Sequence, residues 1–192
     1  MKFNEFYSLT IVHSRDIILV KGVDYMNITK QKSQKTFDKQ AADYDTNIQG
    51  EHARKLYKPI IENLKNKNIH SILDLGCGTG ALLKEIKELN IAEQLFGIDI
   101  SPNMLEIAKN KLGNDATLIL GDSERLPFED SSFDAIVCND SFHHYPQPDI
   151  VEKEVSRCLK QNGVFIIGDC WQPIGARQIM NYYMKHSNSR SE

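Results

Sequence analysis

Short apolar runs alternate with helical stretches from residue 71 onward, and this alternation restricts the possible folds more than any other feature. The runs are apolar almost throughout, and each is followed by Gly, Asp or Asn: Ser71–Leu75, Leu95–Ile98, Thr117–Leu120, Phe133–Cys138 and Val164–Ile167. Apolar runs of this length are typical of parallel strands that are buried on both faces. The pattern therefore predicts an α/β fold with a doubly wound, mostly parallel sheet.

The stretches between these runs carry the signals of helices. Helices are predicted at Ala81–Asn90, Pro102–Lys111 and Ile150–Lys160. Ser101-Pro102 supplies an N-cap and a first-turn proline for the second helix, and Asn162-Gly163 is predicted to end the third.

The N-terminal part of the chain lies outside the alternation. Residues 26–36 are polar and are predicted to be flexible, whereas apolar residues recur at helical spacing from Phe37 to about Leu64. We therefore predict an extension at residues 1–36 and one domain at residues 37–192.

Two hypotheses describe the first 25 residues. In one, Phe6–His13 and Ile17–Val20 form a hairpin that covers an open edge of the sheet. In the other, which we favour, residues 1–25 are an unstructured extension and Met26 is the natural start.

Composition excludes several classes of protein. A net charge of −3 gives no electrostatic footprint for nucleic acid or for an acidic membrane surface. No apolar run approaches the ~18 residues that a membrane span requires, and no signal peptide is recognised. The four cysteines have no C-x-x-C spacing, so we expect buried thiols and a cytoplasmic protein, without a disulfide framework or a bound metal.

A glycine-rich turn follows the first apolar run, in the sequence from Ile72 to Gly80 (ILDLGCGTG). Glycines permit positive φ and allow a ligand to approach the backbone closely, and the helix that follows presents free N–H groups. The turn alone also fits the loose dinucleotide pattern G-x-G-x-x-A, as well as a tight turn without a ligand. Asp99, at the end of the second run, is placed to accept hydrogen bonds from both hydroxyls of a ribose, which NAD and S-adenosylmethionine share.

The third and fourth runs distinguish these two cofactors. They carry Gly121-Asp122-Ser123, Leu126-Pro127-Phe128 and the segment from Ser132 to Val137. With the glycine turn and Asp99, this ordered set resembles the class I S-adenosylmethionine-dependent methyltransferases of small molecules, over roughly residues 37–169. The resemblance implies a Rossmann-like methyltransferase fold and S-adenosyl-L-methionine as cofactor.

The resemblance also implies a role for each matching residue. The cofactor-binding set is Asp74, Gly76, Gly78 and Gly80 beside the methionine part, Asp99 on the ribose, Met104 against the adenine, Asp122 and Ser123 on the adenine edge, and Asn139 near the sulfonium.

The acceptor side is less specified. After the fourth run the chain reads NDSFHHYP, which lacks both prolines of the motif typical of amino-methyltransferases that act on DNA bases, so a small-molecule acceptor is expected. His143 or His144 is either a general base or a residue that packs over the pocket. Packing is the favoured interpretation, because methyl transfer requires a base only for some acceptors. Tyr44, in a segment similar to one that caps the active site in this family, either contacts the acceptor or only packs. His144 and Tyr44 are the two candidate catalytic residues.

Departures from the family pattern leave alternatives open. The family normally adds a helix and an antiparallel strand pair after the fifth strand, but the segment after Asp169 has room for one helix, about Pro173–Lys185. The strand pair is therefore predicted to be missing and the fifth strand to be an exposed edge. A non-catalytic or truncated cofactor-binding module and an NAD-dependent oxidoreductase remain the alternative functions, and the oligomeric state is not predicted.

Overall fold

The computed structural model describes residues 6–12, 24–65 and 67–171. Six strands in these ranges form one sheet in the order β1-β6-β5-β2-β3-β4. They are β1 (Phe6–Val12), β2 (Ile69–Leu75), β3 (Ala92–Asp99), β4 (Thr117–Leu120), β5 (Phe133–Asn139) and β6 (Leu159–Trp171). Strands β2 to β6 pair in parallel, and β1 pairs antiparallel with β6. The predicted doubly wound, mostly parallel sheet is confirmed.

The helices cover both faces of this sheet. They are α1 (Asp24–Gln40), α2 (Ile48–Leu64), α3 (Ala81–Glu88), α4 (Pro102–Leu112) and α5 (Pro148–Cys158), with single 3₁₀ turns at Ala41–Asp43 and Phe142–His144. Because strand side chains alternate, Ile72 packs into the core with α2, α3 and α4, whereas Leu73 packs into the core with α5. Both side chains are fully buried, so truncating either to Ala would cost about 2–5 kcal/mol of stability.

Two helix ends test the sequence signals. The side chain of Ser101 accepts a hydrogen bond from the backbone N–H of Met104 at 3.1 Å, which confirms the predicted N-cap of α4. The predicted helix end at Asn162-Gly163 is wrong, because α5 ends at Cys158 and this pair lies within β6. Asn162 has φ +68 there and lies beside an irregularity in the pairing of β5 with β6. Asn162-Gly163 is therefore part of a distorted strand and does not end a helix.

The polar segment at residues 26–36, for which the sequence predicts no helix, forms most of α1, and its flexibility stays a prediction. Lys30 and Asp38 of this helix bond to residues of the β-sheet domain, and these polar contacts replace the apolar face that sequence periodicity detects. The helical pattern from Phe37 to Leu64 is interrupted: α2 begins anew after Asn47, whose side chain accepts from the N–H of Gly50 at 2.8 Å.

The strand β1 lies along β6, from the pair Phe6 and Trp171 to the pair Val12 and Phe165. The prediction of an unstructured extension is therefore wrong for residues 6–12. The fifth of the predicted strands, which is β6 in the structure, is not an exposed edge where β1 pairs with it. Ile17–Val20 and the predicted helix at Pro173–Lys185 lie outside the described residues. The boundary between residues 36 and 37, and the lack of a C-terminal strand pair, stay predictions.

Two further observations concern the predicted location. Within the described ranges, no helix combines the length and the apolar character that crossing a membrane would demand. Cys77, Cys138 and Cys158 are buried free thiols, as expected. The cytoplasmic location stays a prediction.

Candidate functional site

A cleft opens at the carboxyl ends of β2, β3, β4 and β5 and holds about 910 Å³ of empty space, part of it open to solvent. In the sheet, β2 lies between β3 and β5. The strands that follow β2 in sequence, β3 and β4, lie on one side of it, whereas β5 and β6 lie on the other side, so the cleft lies where the strand order reverses. Doubly wound sheets bind ligands at this place. The position of the cleft fits a cofactor site.

The glycine turn forms one wall of the cleft, and its three glycines serve different purposes. Gly76, Gly78 and Gly80 all have positive φ. A Cβ on Gly76 would lie 2.2 Å from Oγ of Ser141, so this glycine allows the turn to pack against the loop after β5. A Cβ on Gly78 would enter open space, and its N–H donates to Oδ2 of Asp99 at 2.8 Å.

Gly80 lies behind the cleft wall. A Cβ on Gly80 would lie 2.8 Å from Cδ1 of Leu112 and 3.1 Å from Cβ of Ala108. Its small size therefore allows α3 to begin close to α4. Gly80 is the one predicted cofactor residue that the structure places outside the cleft lining.

Asp74 is the most deeply buried acidic residue of the cleft. Its side chain is 2% exposed, and its Oδ1 has no hydrogen-bond partner among the described residues. Burial, together with the charge of Asp99, raises the pKa of Asp74 to about 8. An unpaired buried carboxyl oxygen at a cleft is a place where a ligand donor would be stabilising.

Asp99 is held by backbone donors at the end of β3. Its Oδ2 accepts from Gly78 and its Oδ1 accepts from the N–H of Ser101, both at 2.8 Å. Burial raises the pKa of Asp99, although these hydrogen bonds offset part of the effect. A carboxylate has about four acceptor positions, so two remain for a ligand.

Asp122 lies at the β4 end of the cleft and pairs with a residue that sequence reasoning missed. Nζ of Lys30 is 2.7 Å from Oδ2 of Asp122 and also bonds to Glu124. Burial lowers the pKa of Lys30, but the two carboxylates raise it by more, so its pKa is raised overall. Ser123 is buried between these acids and lines the cleft.

Met104 and Asn139 also line the cleft. Met104 is 1% exposed, in the first turn of α4. The side-chain N–H of Asn139 donates to the backbone oxygen of Ala53 at 3.2 Å, which ties β5 to α2, while its Oδ1 is buried without a partner among the described residues.

An aromatic cluster surrounds the β5 end of the cleft. The ring of Phe37 meets the ring of His144 edge to face at 5.1 Å and that of Tyr44 at 6.4 Å. Burial and the charge of Asp140 raise the pKa of Tyr44 to about 12, so its hydroxyl stays protonated. Burial and His143 lower the pKa of His144 to about 4, so its imidazole is neutral at neutral pH and a weak base. This favours packing over base catalysis for His144.

Behind the cleft, His143 is fixed by Asp169. The imidazole Nδ1 is 2.6 Å from Oδ1 of Asp169, and the N–H of His143 donates to Oδ2 at 3.0 Å. Ligand-type atoms of Asp140, His143 and Asp169 lie within 4.8 Å of one another. The hydrogen bonds between His143 and Asp169 account for the closeness of these two residues, and the absence of a bound metal stays a prediction.

The predicted set thus converges on one cleft, apart from Gly80. The residues that line it are Tyr44, Asp74, Gly76, Gly78, Asp99, Met104, Asp122, Ser123, Asn139 and His144. Sequence reasoning missed Lys30, Tyr57 and Glu124, and it gave Asp140 no role in binding the cofactor or the acceptor. Asp140 had a usable signal, since it follows the end of a strand beside Asn139.

Comparisons with known proteins agree with this geometry. A family model described as a methyltransferase domain matches residues 73–167. A demethylmenaquinone methyltransferase of Thermotoga maritima is 32% identical over 163 residues, which are 82% of this chain and 71% of that protein. A sterol 4-C-methyltransferase of Caenorhabditis elegans is 35% identical over 62% of this chain, which spans only 36% of that protein. The crystal structure of the YcgJ protein from Bacillus subtilis is similar with a TM-score of 0.61 and 27% identity, over 70% of this chain and 58% of that chain.

Proposed function

Since the chain belongs to the class I S-adenosylmethionine-dependent methyltransferases, we propose that it binds S-adenosyl-L-methionine in the cleft and transfers the methyl group to an organic small molecule. The observation that carries this proposal is the convergence of Asp74, Asp99 and Asp122, from three neighbouring strands, on one cleft.

The described residues fit the cofactor. Oδ1 of Asp74 is buried without a partner, which suits a donor from the amino end of the cofactor. The space beside Gly78 is open where a Cβ would stand, so a ligand can approach the backbone. Asp99 keeps acceptor capacity for two ribose hydroxyls after its two backbone bonds.

At the β4 end, Asp122 and Ser123 would read the adenine edge. Asp122 already accepts from Lys30 and from the N–H of Glu124, and a third donor still fits its remaining acceptor capacity. Met104 would pack on the adenine, and Asn139 would line the sulfonium end. These roles are carried over from the family motif and remain part of the proposal.

When bound, the cofactor supplies an electrophilic methyl group on a sulfonium. The chain itself orients the reactants and excludes water, which is where the catalytic advantage of such a site originates. Phe37, Tyr44 and His144 enclose the β5 end, and the hydroxyl of Tyr44 can donate a hydrogen bond to an acceptor there. A side chain that acts as a base is required for some classes of acceptor and not for others.

Titration calorimetry tests the cofactor assignment. We expect S-adenosylmethionine and S-adenosylhomocysteine to bind the wild-type chain, and NAD not to bind. Asp99→Asn should weaken binding by roughly 1.5–3 kcal/mol, the usual contribution of a hydrogen bond to a charged group. Glu62→Gln, on the exposed side of α2, is the matched control. Tighter binding of NAD, or unchanged affinity in both Asp99→Asn and Asp122→Asn, would overturn the assignment.

A second experiment separates an enzyme from a non-catalytic binding module. Formation of S-adenosylhomocysteine is followed with a panel of small-molecule acceptors, which includes demethylmenaquinone and sterols because the named relatives are methyltransferases of these compounds. We expect turnover with at least one acceptor. Cofactor binding without any turnover would favour the non-catalytic module.

A further inference from the structure

The β5 end of the cleft forms a chamber that the cofactor residues leave unassigned. We call it the acceptor chamber and define it by Phe37, Tyr44, Tyr57, Asp140 and His144. Three of these residues come from the helical segment before β2, and two come from the loop after β5. The edge-to-face contacts of Phe37 with Tyr44 and with His144 hold these rings together as a wall.

The cleft as a whole is rich in acidic residues. Asp99, Asp122, Glu124 and Asp140 line it together with Asp74, whose pKa of about 8 keeps it protonated at neutral pH before a ligand binds. Among the described lining residues, the single lysine is Lys30, and it bonds to Asp122 and Glu124 at the opposite end. A carboxylate or phosphate acceptor would therefore meet repulsion and find no cation in the lining of the chamber.

Asp140 is the acid that remains for an acceptor. The proposed cofactor contacts use Asp74, Asp99 and Asp122. Asp140 is partly buried, it has a left-handed backbone with φ +50, and its N–H donates to the oxygen of Gly168 at 2.6 Å, which fixes it at the chamber. Asp140 and Tyr44 line the same cleft, and after burial the charge of Asp140 is the largest cause of the raised pKa of Tyr44.

Burial raises the pKa of Asp140, whereas His143 and His52 lower it and Asp169 raises it, so the pKa is raised overall. The two histidines that lower the pKa are not among the residues that line the chamber. His143 is engaged by Asp169 and is not part of the lining, while His144 in the chamber is neutral. A carboxylate beside aromatic rings is the chemistry that recognises an ammonium group, through an ion pair and cation–π contacts.

We propose that the methyl acceptor is an amine, and that Asp140 holds its nitrogen against the rings of Phe37 and Tyr44. This inference rests on the proposed function of the cleft. In the transfer, the nitrogen lone pair forms the new N–C bond while the methyl–sulfur bond breaks, and the sulfur keeps that bonding pair. The proton that the nitrogen must lose passes through Asp140 to solvent, so the neutral thioether product and one proton are released.

Three probes of one shape test this selection in the full chain. Phenethylamine, phenethyl alcohol and phenylacetate share a ring and a short chain but differ in charge. Binding of each is measured by calorimetry to protein saturated with S-adenosylhomocysteine, after the affinity for S-adenosylhomocysteine itself has been recorded. Phenethylamine should bind at least about tenfold more tightly than the other two, and Asp140→Asn should abolish this preference.

The variant and its control keep the outcome clear. Asn has nearly the shape of Asp and tolerates the left-handed backbone, so Asp140→Asn should retain wild-type affinity for S-adenosylhomocysteine. Glu62→Gln should retain the amine preference as well. Failure of S-adenosylhomocysteine to bind wild type would remove the proposed function itself. With that binding intact, equal affinity for the three probes, preference for phenylacetate, no amine binding, or an unchanged preference in Asp140→Asn would overturn the amine inference.

Discussion

The hydroxyl of Thr79 donates a hydrogen bond to Oδ1 of Asp45 across 2.6 Å, and this contact joins the segment between α1 and α2 to the glycine turn. Nζ of Lys111 adds an ion pair to Oδ2 of Asp45 at 2.8 Å and a hydrogen bond to Thr79 at 3.1 Å. Burial alone would raise the pKa of Asp45, but the bonds from Lys111 and Thr79 outweigh burial and lower it. The segment between α1 and α2 and the glycine turn are therefore held together by hydrogen bonds and an ion pair.

Loss of this connection should weaken cofactor binding without unfolding the domain. Asp45→Ala removes both the acceptor of Thr79 and the partner of Lys111, and we expect affinity for S-adenosylhomocysteine to fall by about 1 kcal/mol, or roughly fivefold. Calorimetry measures the change. Asp43→Ala, an exposed acid two positions earlier, is the control and should bind like wild type. Equal affinity of Asp45→Ala and wild type would show that the contact does not position the turn.

The two glycines of the turn that face the cleft should respond differently to an added methyl group. Gly76→Ala would clash with Ser141 in addition to the strain of a left-handed alanine, whereas Gly78→Ala carries only that strain, about 1–2 kcal/mol. Urea unfolding should therefore show a clearly larger loss of stability for Gly76→Ala. Gly78→Ala should instead lose cofactor affinity, because its Cβ enters the open space of the cleft. A larger stability loss in Gly78→Ala would contradict this assignment.

Asp74 should make the unliganded protein less stable as pH rises. Its folded pKa is raised from 3.8 to about 8, so between these values the unfolded chain has released a proton that the native state still holds. The free energy of unfolding then falls with pH, by up to about 1.4 kcal/mol per pH unit for one proton. Asp74→Asn removes this slope, so its stability relative to wild type should increase from pH ~5 to pH ~8. Parallel stability curves for the two proteins would show that the carboxyl is ionised throughout.

The pair of His143 and Asp169 should have the opposite pH signature. Burial lowers the pKa of His143, but the hydrogen bond and charge of Asp169 outweigh burial and raise it above 6.5. A raised histidine pKa contributes stability that is fully present below the unfolded value and is lost as pH rises through the folded value. The decrease in melting temperature caused by His143→Gln should thus be largest below pH ~6.5 and should shrink at higher pH. A decrease that is constant across this range would indicate a neutral imidazole.

His144 should not govern the pH dependence of methyl transfer. With its pKa lowered to about 4, the imidazole does not change charge near neutrality. Once an acceptor is identified, His144→Asn should give a profile of kcat against pH with the same shape as wild type from pH ~6 to ~8. The loss of an inflection in this range would identify His144 as the base.

Sequence alone predicted the parts of the site that follow strand ends. Asp74, Asp99 and Asp122 stand at or just after the ends of adjacent parallel strands, and such ends meet at one edge of the sheet. The glycine turn is equally local, because its residues are consecutive and its backbone requires positive φ. These features could be predicted because each depends on short-range pattern and on the geometry of parallel strands.

The parts that sequence missed depend on contacts between distant positions. Lys30 and Asp122 are 92 positions apart, and α1 has few apolar residues at regular spacing, so its polar surface has the sequence pattern of a flexible segment. Asn162-Gly163 has the local signature of a helix end, but pairing with β5 on both sides of it incorporates it into β6. In both places tertiary contacts outweighed local preference.

The pairing of β1 with β6 has a consequence for the order of folding. Val12 meets Phe165, so β1 leaves the ribosome well before the strand that it pairs with. The five parallel strands and their helices can assemble by connections of moderate length, whereas this closure must await the synthesis of every strand between the two partners. During elongation, β1 therefore stays without its strand partner until β6 emerges, and its docking should be a late event in folding.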